Sequence, residues 1–143
     1  MLRLITIALV AALGAACGAD RAASPTSGCG ASITAQCLSG TYALSTINGK
    51  ALPAFVDSGS EQWSAATLTL KPDGTLAGTV AWKEFSNGSV VDSGNDTFSG
   101  TYSVSGATIT MRIEDDPPAT ATLASDGSLS LADGGAVFVW RRQ

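Results

Sequence analysis

There is no histidine among the 143 residues, and that absence removes much familiar chemistry. Neither a Ser-His nor a Cys-His nucleophile pair can be assembled, and an imidazole metal centre is excluded. Basic side chains are scarce as well: eight Lys and Arg stand against twelve Asp and Glu, a formal charge of −4. A nucleic-acid partner needs clustered cations, so none is expected. Nor does any ten-residue window beyond the N-terminal sixteen carry an apolar period of 3.6, which leaves little room for amphipathic helices. Aromatic residues number nine in a chain rich in Ala, Gly and Ser, few enough for a core to be left hollow. The one dense charge cluster, Glu114-Asp115-Asp116-Pro117-Pro118, puts Glu114 and Asp116 on one face of an extended chain. That spacing suits a carboxylate pair or a weak Ca²⁺ site, but a solvated strand end stopped by two prolines is the plainer reading. No enzyme, cofactor or resident metal is expected.

What is present begins with an apolar run that stops at a cysteine. Met1-Leu2-Arg3 supplies a positive charge, and Leu4 to Ala16 contains none. As a helix the run is about 20 Å long at 1.5 Å per residue, short of the hydrocarbon layer of about 30 Å. A basic start, a short apolar stretch and small residues at its end mark a removable export signal over residues 1–16. Leu13-Gly14-Ala15-Ala16-Cys17 resembles the lipobox of bacterial lipoproteins, in which the signal is cut before a diacylated cysteine. The resemblance implies a mature chain that begins at Cys17, one unit more negative without Arg3, and is held on a membrane by its acyl chains. Gly18 stands where an Asp retains some Gram-negative lipoproteins in the inner membrane. The expected place is therefore the cell envelope: in a Gram-negative cell the outer membrane, facing periplasm or surface.

Export also frames the other two cysteines. Cys29 and Cys37 are an even pair in a compartment that permits disulfides, with two free thiols or, less readily, a metal pair as alternatives. Residues 17–37 hold Ala, Gly, Ser and Thr with few charges and no apolar period, the composition of a flexible tether. Residues 38–143 form the domain.

Within that domain the pattern changes to period two. Leu68 and Leu70 alternate with Thr67 and Thr69, and Ile109, Met111 and Ile113 alternate with Thr108, Thr110 and Arg112. Pro72-Asp73-Gly74, Asn87-Gly88, Ser105-Gly106, Asp126-Gly127 and Asp133-Gly134 punctuate the runs as tight turns. Eight strands are expected: 41–47, 65–71, 75–85, 89–104 with a break near Ser93-Gly94-Asn95, 107–114, 119–124, 128–132 and 136–142. Short hairpins joining so many strands leave two open edges or none, and eight are enough to close. An all-β, antiparallel up-and-down barrel is expected, with an open sandwich as the alternative. Ser-Gly-Thr-Tyr occurs twice, at 39–42 and 99–102, and reads as shared hairpin chemistry rather than a repeat.

Leu38-Ser39-Gly40-Thr41-Tyr42, followed by a meander that ends in Ala136-Val137-Phe138-Val139-Trp140-Arg141-Arg142, resembles small lipocalin-like bacterial lipoproteins. Lipocalins carry Gly-x-Trp on the first strand, its ring beneath a basic residue from beyond the last. Here the resemblance implies a barrel-end plug of Tyr42 with Arg141 or Arg142, and a ligand cavity. Alternation points Tyr42, Leu44, Leu68, Leu70, Leu76, Val80, Trp82, Phe98, Tyr102, Ile109, Met111, Leu123, Leu129, Phe138 and Trp140 inward. The longest loop, 48–63, offers Leu52, Pro53, Phe55 and Val56 as a lid or as outside packing, and these with Trp63 are where an exposed aromatic patch would lie if there is one.

Two non-catalytic functions follow, both for a tethered module. One is binding of an envelope protein through the outer face; the other is carriage of a small apolar ligand inside the barrel. The interior separates them. A connected apolar void of about 300 Å³ under the 48–63 loop favours carriage, whereas a filled core with an exposed aromatic patch favours a partner.

Overall fold

The computed structural model describes residue 29 and residues 32–114 and 116–143. The expected signal, Cys17 and most of the tether lie outside the described residues. A short helix, α1 (Ala35–Leu38), precedes ten strands: β1 (Gly40–Ile47), β2 (Lys50–Ala51), β3 (Ala54–Phe55), β4 (Glu61–Leu70), β5 (Thr75–Ser86), β6 (Ser89–Ser105), β7 (Thr108–Ile113), β8 (Ala119–Leu123), β9 (Leu129–Asp133) and β10 (Ala136–Arg142). All pairings are antiparallel and run in chain order from β4 to β10. β1 then pairs with β10 on one side (Tyr42 opposite Arg142, Ile47 opposite Phe138) and with β4 on the other (Gly40 opposite Leu70, Tyr42 opposite Leu68). Eight strands thus close an up-and-down barrel, and β2 and β3 are short additions in the β1–β4 connection.

Turn chemistry sets this meander. Asn87-Gly88 and Gly134-Gly135 each place two consecutive residues at positive φ, the tight hairpin geometry that matches strand twist. The last of these differs by one residue from the expected Asp133-Gly134, because Asp133 stays in β9 and pairs with Ala136. Inward residues form one apolar core in which Leu38, Ile47, Ile109 and Leu129 are wholly buried. The outer wall is rich in threonine; Thr67 and Thr79 share a hydrogen bond across β4 and β5 at 2.9 Å.

Three local features depart from simple alternation. β6 does not break near Ser93-Gly94-Asn95: those residues pair with Lys83, Trp82 and Ala81, and the irregularity falls between Asp92 and Val90. β4 starts at Glu61 instead of 65 and carries a bulge between Trp63 and Ala65, which turns Trp63 to the same side as Ala66 and Leu68. A second bulge, between Leu44 and Thr46, brings both Leu44 and Ile47 to the interior.

Candidate functional site

The two ends of the barrel are built differently. At one end the chain before β1 folds back as a plug. Thr34 caps α1 by accepting from the Cys37 N–H at 3.3 Å, and Leu38 drops into the core. Cys29 and Cys37 stand at disulfide distance, their Cα atoms 5.0 Å apart. Two tyrosines hold the plug from below: the Tyr42 hydroxyl donates to the Leu38 carbonyl at 2.8 Å, and the Tyr102 hydroxyl donates to the carbonyls of Lys71 (2.6 Å) and Ala35 (3.1 Å). Burial raises both phenol pKa values above their ordinary range, partly offset at Tyr42 by the Arg142 guanidinium, so both keep the proton they donate.

Arg142 completes this end by donating to the carbonyls of Cys37 (3.1 Å) and Ser39. Its guanidinium lies so close to Gly40 that a Cβ there would sit 2.9 Å from Nε, which explains the glycine. Of the two arginines offered as a plug cation, Arg142 takes the role, and its partners are backbone oxygens of the plug. Arg141 points outward to a solvent-exposed ion pair with Asp126 at 3.6 Å. Residues 33–37, assigned to the tether by composition, are part of this closure: Ile33, Ala35 and Cys37 pack on the core, an order that the cysteine pair and Arg142 impose. The two Ser-Gly-Thr-Tyr copies share a job rather than a turn, since each lies at or within a strand and sends its tyrosine to α1.

The opposite end is open. A cavity of about 320 Å³ enters the barrel there, walled by Trp63, Leu68, Val80, Phe98, Met111, Leu131, Phe138 and Trp140, with Val56 from the β3–β4 loop beside its mouth. Trp63 packs tilted against Phe138 with ring centroids 5.2 Å apart and is half-buried, so it does not form an exposed aromatic patch. The rings of Trp82 and Phe98 lie over Gly94 and Gly78 across the strand pair, where a Cβ would fall 3.0 and 2.2 Å from ring carbons. Both aromatics are half-buried, Phe98 in the cavity wall and Trp82 outside that wall beside Asp96, whereas Tyr42, Leu44, Leu68, Leu70, Val80, Tyr102, Ile109, Met111, Phe138 and Trp140 are buried. The lid candidates divide: Leu52 and Val56 pack on the core, Pro53 is exposed, and Phe55 packs edge-on against Phe85 at 5.3 Å on the outside.

Carboxylates ring the mouth. Asp96, Asp116 and Asp133 border the cavity. The indole N–H of Trp82 donates to Asp96 at 2.7 Å, and that of Trp63 to Glu61 at 2.6 Å. Sequence reading missed Asp96 and Asp133 because each sits singly in a strand without a motif, although alternation with Phe98 and Leu129 puts both on the inward face, where Asp96 opposes Val80. The alternative for Glu114 and Asp116, a carboxylate pair on one extended face, is not adopted, and the plainer strand end is what forms. β7 ends at Ile113, the Asp116 N–H turns back to the Ile113 carbonyl, and the Ser99 hydroxyl donates to Glu114. Among the described residues no group of His, Cys, Asp or Glu is placed to hold a metal ion.

No protein-family model, curated protein or solved structure matches this chain, so the site stands on its geometry.

Proposed function

We propose that this chain is a lipocalin-like, non-catalytic binding module, tethered to a membrane of the cell envelope through a lipidated Cys17, that takes a small apolar molecule into the open end of its barrel. The observation that carries the reading is the 320 Å³ cavity, which lies within the range of small-molecule sites and has an aromatic and aliphatic wall. A mouth at one end and a hydrogen-bonded plug at the other make a cup rather than a channel. Neither a catalytic residue nor a cofactor is assigned to it.

Native mass analysis of the purified chain tests the cup. A co-purifying apolar metabolite at one per chain is expected, and its loss in Val56→Trp, which narrows the mouth from a half-buried loop position, supports the reading. A chain that carries nothing and takes up no apolar probe overturns it. The anchor is tested separately: Cys17→Ser should move the protein from membranes to the soluble fraction, and retention on membranes contradicts lipidation there.

A second reading, docking of an envelope protein, rests on the β5–β6 hairpin tip, where Val90 and Val91 are exposed beside the Phe55–Phe85 pair. Val90→Lys with Val91→Lys should abolish such a complex without altering the cavity.

A further inference from the structure

The cavity's polar features are all of one kind. Its mouth presents three carboxylates, Asp96, Asp116 and Asp133, and among the described residues no Lys or Arg lines it. The nearest lysine along β5, Lys83, alternates to the outer face and pairs with Ser93. Because these carboxylates do not converge into a metal-holding group, their charge is spread around an opening instead of focused on one point. Aromatic faces accompany them: the Trp82 ring is fixed by its bond to Asp96, and Trp63 and Phe98 share the same end. Carboxylates beside aromatic faces are the surroundings in which an organic ammonium is held by charge and by cation–π attraction together.

The three indoles differ in what they offer a guest. Trp63 and Trp82 each give their indole N–H to a carboxylate, but Trp140, buried in the cavity wall, has no acceptor for its own. That Nε1 is wholly enclosed by the protein, so it offers a guest nothing, and polar recognition falls to the carboxylates of the mouth.

We propose that the occupant is an amphipathic organic cation: an apolar body inside the barrel and an amine or quaternary ammonium among Asp96, Asp116 and Asp133. This rests on the cavity reading above and narrows it to a class of ligand. An acidic mouth repels fatty-acid carboxylates, so the cup selects against the commonest apolar anions.

Calorimetric titration of the purified full chain with octylammonium, octanol and octanoate separates the two claims. Octylammonium should bind at least about ten-fold more tightly than octanoate at low salt, with octanol between them. That preference should shrink as ionic strength rises, because exposed charges are screened over about 10 Å at 0.1 M salt. It should fall to about two-fold in the triple variant Asp96→Asn, Asp116→Asn, Asp133→Asn, in which the amide introduced at position 96 still offers Trp82 an acceptor. Equal binding of all three probes overturns the cationic inference and leaves the cavity intact. A preference that neither salt nor the triple variant reduces overturns its assignment to these residues. Failure of every probe to bind overturns both the inference and the proposed function.

Discussion

The closed end and the open end of this barrel use the same residue types for opposite purposes. At the closed end every aromatic hydroxyl and the terminal guanidinium is spent on a carbonyl of the plug: Tyr42 on Leu38, Tyr102 on Ala35 and Lys71, Arg142 on Cys37 and Ser39. At the open end two indoles bond to carboxylates, a third has no partner, and the apolar wall faces a void. A site whose hydrogen bonds are satisfied internally has nothing left to offer a ligand. One that leaves carboxylates and an apolar surface uncovered has both charge and contact area to offer.

This contrast predicts that variants at the closed end lose stability and retain affinity, while those at the mouth do the reverse. The largest effect is expected from Leu38→Ala, which empties a wholly buried position of the plug and should lower unfolding free energy by about 3 kcal/mol in denaturant titration. Replacing Cys29 and Cys37 together by Ser frees a short loop and should cost about 2.5 kcal/mol in the chain-entropy account, measured as a lower melting temperature. Tyr102→Phe removes a donor shared by two carbonyls and should cost about 1 kcal/mol. If any of these three weakens ligand binding ten-fold while the chain remains folded, the division of labour fails.

At the mouth, Asp133→Asn should change stability by less than about 0.5 kcal/mol, since its side chain is exposed and makes no internal bond that must be replaced. Its effect belongs to affinity for a cation. The smallest stability effect is acid-dependent. Asp73 and Asp126, in turns at the closed end, have carboxyl pKa values lowered chiefly by hydrogen bonds from Thr75 and Ser128. A folded value below the unfolded one gives stability that is present at neutral pH and is lost as pH falls below about 4. Asp73→Asn and Asp126→Asn should each slightly flatten the acid side of the stability curve; a steeper acid side contradicts the assignment.

How much of this was legible in the chain follows from which signals are local. Strand number and hairpin positions were readable because two-residue alternation and glycine turns are written in neighbouring residues, as in Thr67-Leu68-Thr69-Leu70 and Asn87-Gly88. The bulge that turns Trp63 inward was not, since it depends on which residue of β5 lies opposite. Asp96 was legible in part: alternation with Phe98 puts it on the inward face, but its place at the cavity mouth depends on the pairing with β5. Composition misread residues 33–37 for a different reason: Ile, Thr, Ala, Gln and Cys without an apolar period describe a linker until the distant Arg142 and Tyr102 supply the bonds that order it. The choice between Arg141 and Arg142 was likewise a matter of register, settled by Tyr42 lying opposite Arg142.

The central claim is that the interior is a cup open at the carboxylate end. Uptake of a neutral apolar fluorophore such as N-phenyl-1-naphthylamine by the full chain, excited through its tryptophans, tests it most directly. The account predicts saturable energy transfer at one molecule per chain, lost in Val56→Trp and kept in Tyr102→Phe. Absence of transfer, or transfer that does not saturate, would contradict it.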